Sequence, residues 1–514
     1  MDSGFCRRRM AGFDAHRQGP GVTFCGKRDA TVANAGPSVC PFQGIVLAFI
    51  PQLQNPRPTV IDAAPDVANR PADLLYGLND KPPLRLAIFV AIQHVLAVFV
   101  GVVTPPTLIA RILELSAADG AYLVSMALLA SGMGTLLQTR QVGPVGTGLL
   151  SIQGTSFVFV APVVSLGGSL IAEGHSRTQA LGVVFGVCLA AAVVPVFLAP
   201  FIRLASRIIT PLVTGIVVTL IGLTLVNVGI MSVGGGFEAQ HDGTFASAAN
   251  LGLAALVMVV IVTLSASRRD WFRVLSIVIG LGCGYVVALL AGRVSLSSLK
   301  ELPWFAVPTP FHYGLGFRAF ALVPFAFLYL MSAIESVGDI TATSLLTGQP
   351  LTGPQYFKRL RGGVLADGVS SMLAAILNSF PSTTFAQNNG VIQLTGIGSR
   401  HVGLLVGAIL IALGLFPVVG GVVQAMPQPV LGGATLIMFG TVAVAGIRIL
   451  ASIPLDRRAC TIAAVSFGLG LGVTFVPEIA HTLPPPWKDM LASGIATGGI
   501  CALLLNAVLP GKRV

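Results

Sequence analysis

Beyond residue 84 the chain is a succession of apolar segments, each about as long as a helix that crosses a lipid bilayer. A helical crossing needs about 20 apolar residues. Charged residues make up only 10% of the 514 positions, against about 25% in soluble domains. Because so few charges cannot cover a water-facing surface, lipid must be the main solvent of this chain. The sequence therefore predicts an all-α polytopic membrane protein.

The apolar segments predict fourteen transmembrane spans. They lie near residues 86–103, 121–138, 145–168, 179–200, 208–229, 248–266, 273–292, 319–346, 361–379, 383–397, 402–423, 429–447, 459–477 and 488–508. Two repeats of seven spans, at about 84–292 and 318–508, would have opposite orientations in the membrane because seven is odd.

Basic residues in the connections predict the orientation of the chain. Those at the two ends and after even-numbered spans are nearly three times as many as those after odd-numbered spans. Since basic loops stay on the cytoplasmic side, both termini are predicted to be cytoplasmic. The same short loops carry most of the net charge of +11, so we expect no nucleic-acid partner.

The third and tenth predicted spans are interrupted by polar residues. The third carries Gln153-Gly154-Thr155-Ser156 at its middle, and the short tenth carries Gln387-Asn388-Asn389-Gly390. Interrupted spans at matching places in two halves are typical of a transporter with a binding site at mid-membrane.

Four ionisable residues lie within predicted spans, namely His94, Glu335, Asp339 and Asp367. Each costs about 2.5–3.5 kcal/mol on insertion scales, so such residues usually serve a function. Glu335 and Asp339 are four apart and share a helix face, where mutual repulsion favours a proton on one of them. The alternative is a solvated vestibule. His94 could equally be a structural hydrogen-bonding residue between helices.

The polar residues of the tenth span predict the kind of solute. Side-chain amides offer donors and acceptors together, which suits a planar heterocycle with alternating C=O and N–H groups. Glu335 could accept from ring N–H groups, and Phe157 could supply an aromatic contact. The residues by themselves indicate a neutral or weakly acidic polar solute.

Two longer motifs resemble those of a known family. QNNGVIQLTG (387–396) is similar to the signature of the nucleobase–ascorbate transporter family, also called nucleobase:cation symporter-2. MPQPVLGGATLIMFGTVAVAG (426–446) resembles the second xanthine/uracil permease signature, and Gln93-His94 resembles the Gln-His motif of the first span.

This resemblance implies a fold of inverted seven-span repeats with core and gate domains and short strands in spans three and ten. It further implies import driven by proton symport in a homodimer in the bacterial cytoplasmic membrane. The implied substrate contacts are Glu335, Gln387, Phe157 and Ala386. Residues implied to couple protons or order the site are Asp339, Asp367, His94 and Asn388. Gln387, where the uracil branch has Glu, implies a purine such as xanthine or uric acid.

Other hypotheses remain open at this point. A uracil permease, or an anion transporter of the same fold, would use the same span pattern. A membrane enzyme is disfavoured, since the chain has no H-E-x-x-H or G-x-S-x-G motif, and we expect no cofactor or metal. Residues 1–75 are polar and rich in Pro and Gly, which predicts a disordered extension before a membrane domain at 76–510.

Overall fold

A computed structural model describes residues 74–205, 208–294, 302–480, 491 and 493–510. Nearly all of the predicted N-terminal extension and the start of the fourteenth predicted span lie outside these residues. The described helices, in chain order, are α1 Leu84–Ile112, α2 Ala117–Arg140, α3 Val160–Ala172, α4 Arg177–Ala191, α5 Val193–Leu198, α6 Ile202–Ala205, α7 Pro211–Gly234, α8 Gly236–His241, α9 Ala248–Ser265, α10 Asp270–Leu290, α11 Ala319–Leu346, α12 Gly353–Ile376, α13 Gln387–Thr395, α14 Arg400–Gly414, α15 Pro417–Gln424, α16 Gln428–Ala451, α17 Arg457–Phe475 and α18 Gly494–Val508. The two strands are β1 Gln153–Thr155 and β2 Ser382–Thr384.

The described helices include many that are long and apolar enough to cross a membrane. Eight candidate spans meet this description, one of which is the run Arg177–Ala205 that comprises α4 to α6, and a ninth is added if α14 and α15, which are bent by 77°, form one span. Three shorter apolar helices accompany them. A mostly helical, multi-span architecture is therefore confirmed, whereas the number of fourteen crossings stays a prediction.

Side-chain caps define where several helices begin. Ser116 accepts a hydrogen bond from the backbone N–H of Asp119 at the start of α2. Ser176 and Gln179 form a reciprocal capping box at the start of α4. Such caps satisfy N–H groups that have no partner inside the helix, which matters most where little water is available.

The third predicted span departs from the predicted boundaries. Its helix, α3, begins at Val160 rather than at residue 145. Gly143, Gly146 and Gly148 have φ angles of 62°, 103° and 71°, which are incompatible with a right-handed helix. The chain before Gln153 therefore runs in a non-helical conformation into β1.

The interrupted third and tenth spans meet as a two-stranded antiparallel sheet. Gln153 is paired with Thr384, Gly154 with Thr383 and Thr155 with Ser382. This confirms the short strands that were expected in these two segments. Because each strand occupies the first part of its segment, the helices that follow, α3 and α13, begin next to the strand pair near the middle of the molecule.

The helices pack into two groups. The first, here called the strand group, surrounds the two strands and contains α1 to α6 and α11 to α15. The second, here called the flanking group, contains α7, α9, α10 and α16 to α18. Assignment of these groups to a moving core and a gate remains a prediction.

Glycine permits close packing between α7 and α16, which form the most extensive contact within the flanking group. A β carbon on Gly222 would lie 2.3 Å from the backbone nitrogen of Ala443, and one on Gly446 would lie 2.3 Å from that of Thr219. The two helices run antiparallel, as the order of these contacts requires. Small residues allow such close backbone packing where lipid gives no hydrophobic drive between helices.

Candidate functional site

The strand pair carries buried polar side chains into the centre of the strand group. Gln153 on β1 is completely buried. Its Oε1 accepts a hydrogen bond from Ser382 Oγ on β2 at 2.8 Å. The hydroxyls of Ser336 on α11 and Thr383 on β2 lie 3.0 Å apart. The strands and α11 are thus joined by side-chain as well as backbone hydrogen bonds.

Asp367 on α12 is held by two amide side chains. Its Oδ1 accepts hydrogen bonds from Gln153 Nε2 and, at 3.1 Å, from Gln138 Nε2 on α2. Gln138 Nε2 also lies 3.0 Å from the Gly363 carbonyl oxygen. Asp367 is 4% exposed, and its Oδ1 is hydrogen-bonded to Gln153 of β1. The Asp367 side chain therefore helps to hold the strand pair in position.

The sequence analysis did not assign Gln138 or Gln153 to the site. Gln153 was recognisable as a polar residue in an interrupted span. Gln138 carried no local signal, because its partner Asp367 lies 229 residues away.

Asp339 and Glu335 have different surroundings although both lie on α11. Thr384 Oγ1 on β2 donates to Asp339 Oδ2 at 3.1 Å. Glu335 is partly exposed, and its Oε2 atom is buried with no hydrogen-bond partner among the described residues. Of the two carboxylates on α11, Glu335 therefore has a buried oxygen without a hydrogen bond from the described residues, as Asp367 on α12 also has at its Oδ2.

Asn388 and His94 connect α13 and α1 to the segment before β1. Asn388 Nδ2 donates to the Leu150 carbonyl oxygen. The completely buried His94 faces Asn388. Neither ring nitrogen of His94 has a hydrogen bond of normal geometry to a described residue. Asn388 and His94 thus lie where the first turn of α13 meets α1, and they can hold the start of α13 in position.

Two phenylalanine rings pack beside the strand pair at the centre of the molecule. Phe157 is 8% exposed and stands edge-on to Phe439 of α16, with ring centroids 5.2 Å apart and an interplanar angle of 85°. Phe385 directly follows β2 and packs between Gly101 on α1 and Gly154 on β1. Phe157 thereby joins the strand group to the flanking group by an aromatic contact.

A cavity of about 590 Å³ lies between α1, α10 and α13. Its lining residues are Ala97, Arg273, Ser276, Ile277, Gln387, Gly390, Val391, Gln393 and Leu394. Of the four predicted substrate contacts, Gln387 lines this cavity, and Glu335, Phe157 and Ala386 do not. Ala386 is the residue that precedes α13 and is partly buried. Arg273 and Ser276 were not assigned to the site from the sequence.

A second cavity, of about 450 Å³, lies further along α1. Its lining includes Ala110 and Arg111 of α1, Asn250 of α9 and Gln428 of α16. Ala97 and Ala110 are separated by about 20 Å along α1, from a rise of 1.5 Å per residue. The two cavities therefore occupy different depths of the molecule, with Gly101 and the Phe385 ring between them along this helix.

No group of three or more His, Cys, Asp or Glu side chains suited to a metal occurs in the described part of the chain. The carboxylates of Asp339 and Asp367 are instead partnered by a hydroxyl and by amides, which are neutral donors.

A model of the permease family Xan_ur_permease matches residues 85–479, which is most of the chain. The chain belongs to the nucleobase–ascorbate transporter family. It is therefore a membrane permease rather than an enzyme.

Several relatives in this family match nearly end to end. The xanthine permease XanP of Escherichia coli (strain K12) is 47% identical over 455 residues, covering 88% of this chain and 98% of the relative. The xanthine permease XanQ of the same strain is 45% identical, covering 87% and 96%. The uric acid permease PucJ of Bacillus subtilis (strain 168) is 34% identical, covering 81% and 91%.

Solved structures support the architecture. A structure of the murine Slc26a9 anion transporter in the inward-facing state superposes with a TM-score of 0.55 at 14% identity, over 83% of this chain and 69% of that one. A structure of SLC26A9 gives a TM-score of 0.54 at 14% identity, and this chain covers slightly less than two thirds of it, 66%. At this identity the likeness shows a shared multi-span transporter fold.

Proposed function

We propose that this permease imports an oxidised purine, xanthine or uric acid, into a bacterial cell by proton symport. Two kinds of observation support the proposal. The chain is 47% and 45% identical to two xanthine permeases that it covers almost entirely. The side chains expected to select the solute lie near one another: the amide of Gln387 lines the cavity, and the carboxylates of Glu335, Asp339 and Asp367 lie on the helices beside the strand pair.

Gln387 carries the argument for a purine. It is the first residue of α13 and faces the cavity. Its neutral amide offers both a donor and an acceptor. Such a group can pair with neighbouring C=O and N–H groups on the edge of an oxidised purine. A carboxylate at this position would only accept, so it could pair with a ring N–H group but not with a ring C=O group.

Glu335 is proposed as the carboxylate that binds a ring N–H group and exchanges the coupling proton. Glu335 accepts no described hydrogen bond at its buried Oε2, whereas Asp339 Oδ2 accepts one from Thr384 and Asp367 Oδ1 accepts two, from Gln153 and Gln138; Asp367 Oδ2 is also buried without a described partner. Asp339 and Asp367 then order the strand pair and influence Glu335 through their charge. Asn388 and His94 position the start of α13. Phe157 and the backbone of Ala386 complete the contacts to the ring.

Alternating access is proposed to arise from movement of the strand group against the flanking group, as in an elevator. The cavity at Gln387 has one wall from α13 and another from α10 of the flanking group. The cavity at Arg111 likewise has walls from both groups. Movement of one group along the other would enlarge one cavity as it narrowed the other. We further propose a homodimer in the bacterial inner membrane with both termini cytoplasmic.

Uptake measurements test this proposal. The full chain is expressed in a strain without purine permeases, and uptake of radiolabelled xanthine, urate and uracil is measured with and without a protonophore. We expect accumulation of xanthine or urate that the protonophore abolishes. Uracil as the only substrate would overturn the argument from Gln387, and purine accumulation that resists the protonophore would overturn proton coupling. The alternative of an anion transporter requires sulfate or bicarbonate flux without purine uptake.

A further inference from the structure

We propose that Asn506 is a positioning residue for transport, because it anchors the chain between α6 and α7 to the flanking group and so fixes a point about which the two groups move. The inference rests on the proposed movement of the strand group against the flanking group. Residues 208–210, directly before α7, are here called the connector. The chain passes between the groups through this connector, since α6 belongs to the strand group and α7 to the flanking group.

The connector is joined to the strand group through its backbone. The N–H groups of Ile208 and Ile209 donate to the carbonyl oxygen of Ala205, the last residue of α6, at 2.9 and 2.8 Å. The Ile209 side chain is buried in the hydrophobic core. These contacts continue α6 into the connector and leave the Ile208 carbonyl oxygen for a partner elsewhere.

That partner is the side chain of Asn506 on α18, in the flanking group. Asn506 is completely buried, and its Nδ2 donates to the Ile208 carbonyl oxygen at 2.8 Å and to Thr210 Oγ1 at 3.3 Å. A carbonyl oxygen can only accept, so the amide nitrogen must face it. The two bonds match the two hydrogens of the amide, and both bonds go to the connector.

Further hydrogen bonds hold the backbone of Asn506 in place. Arg458, near the start of α17, donates from Nη2 to the Asn506 carbonyl oxygen at 2.7 Å and from Nε to that of Leu509 at 3.1 Å. Carbonyl groups in the last turn of a helix have no partner inside the helix, and a guanidinium there also interacts favourably with the helix dipole. Helices α17 and α18 therefore form a fixed base from which the Asn506 side chain reaches the connector.

The connector is thus hydrogen-bonded to α6 on one side and to α18 on the other. A strand group that moves must turn about this point and cannot slide past it. Without the anchor, the connector could shift by itself and absorb part of the movement, so that fewer displacements would carry solute between the two cavities. Because Asn506 lines neither cavity, we expect its loss to slow the transport step and to leave solute binding intact.

Binding and transport measured on the same proteoliposomes test the proposal. The full chain is reconstituted as wild type and as Asn506→Leu, whose side chain is similar in size and has no donor. Binding of radiolabelled xanthine gives the Kd and the number of sites, and the initial rate of xanthine counterflow is divided by that number. We expect turnover per site to fall about fivefold, the size of one buried hydrogen bond, with an unchanged Kd. A merely structural role would reduce the number of sites and leave turnover per site unchanged, and that result would overturn the inference.

Thr497→Val is the control within the same helix. Thr497 Oγ1 donates to the Leu491 carbonyl oxygen at 2.8 Å, in the connection between α17 and α18, so this bond lies within the flanking group. We expect its turnover per site to equal that of the wild type. A decrease as large as that of Asn506→Leu would refute a special role for the connector. Absence of xanthine binding and counterflow in the wild type would instead overturn the proposed function, and the inference with it.

Thr210→Val keeps the test decisive if Asn506→Leu does not fold. The Thr210 side chain does not cap α7, so the substitution removes an acceptor of Asn506 at nearly constant size. We expect turnover per site to fall about twofold, less than for Asn506→Leu because this bond is the longer one. The double variant should be no slower than Asn506→Leu alone, since both substitutions act on one contact. Wild-type turnover in Thr210→Val, or full multiplication of the two effects, would contradict the inference.

Discussion

The packing of Phe385 between two glycines makes Gly154→Ala a stringent test of the site geometry. A β carbon on Gly154 would lie 2.5, 2.7 and 2.8 Å from three atoms of the Phe385 ring, where ordinary contact begins at 3.4 Å. The ring would have to retreat by about 1 Å. The ring cannot move towards α1, because it already lies against the backbone of Gly101, so closely that a β carbon added there would be 2.6 Å from it.

The expected cost follows from this clash. Overpacking by one methyl group in a closely packed interior costs about 1–3 kcal/mol. Phe385 directly precedes Ala386 and Gln387, so a displaced ring also displaces the start of α13. Since 1.4 kcal/mol corresponds to about a factor of ten in an equilibrium, we expect purine uptake to fall about tenfold or more. A lower midpoint of thermal unfolding should accompany this loss.

Gly168→Ala is the matched control, because Gly168 lies in α3 of the same segment and a β carbon there would meet nothing within 4 Å. The assay compares uptake and thermal unfolding of both variants with the wild type. Gly154→Ala should also cost less in a Phe385→Leu background, where the smaller side chain relieves the clash. Wild-type stability of Gly154→Ala, or an equal cost in both backgrounds, would refute the packing argument.

Three further predictions concern side chains with defined partners. Gln153→Leu removes a donor from Asp367, so we expect a loss of about 1–3 kcal/mol in thermal unfolding experiments, with little uptake; unchanged stability would contradict it. Glu335→Gln should abolish proton-driven accumulation while preserving exchange of labelled for unlabelled purine, and normal accumulation would remove Glu335 from coupling. Burial, followed by the hydrogen bond to Asp119, raises the pKa of Tyr313, in the connection before α11, above its usual value. The resulting stabilisation is present below about pH 10 and is lost as pH rises further. Unfolding midpoints should therefore fall above pH 10 in the wild type and less in Tyr313→Phe; parallel curves would contradict this.

Several features of the fold and site were predictable because they depend on short stretches of sequence. Apolar length predicted the membrane helices, and polar interruptions predicted that the third and tenth segments break. The family resemblance, and not the residue types in those breaks, implied the short strands that form β1 and β2. The predicted start of the third helix was wrong, because Gly143, Gly146 and Gly148 have positive φ angles that prevent a helix there, and hydropathy does not report backbone conformation.

Contacts between distant parts of the chain were beyond prediction from local patterns. Gln138 reaches Asp367 across 229 residues, and Phe385 is held between Gly101 and Gly154. No periodicity relates these positions, because each contact depends on how whole helices pack. Arg273 looked like an ordinary basic residue of a cytoplasmic loop, and only the cavity that both residues line connects it with Gln387.

The sequence alone determined that this protein is a multi-span membrane permease with polar residues in two broken spans, since length, hydropathy and motifs are properties of contiguous residues. Tertiary structure alone decided which carboxylate oxygens are hydrogen-bonded, which are buried without a described partner, and which residues share a cavity. The physical reason is that a buried polar group takes its properties from its partners. In this protein those partners come from helices that are far apart in the chain.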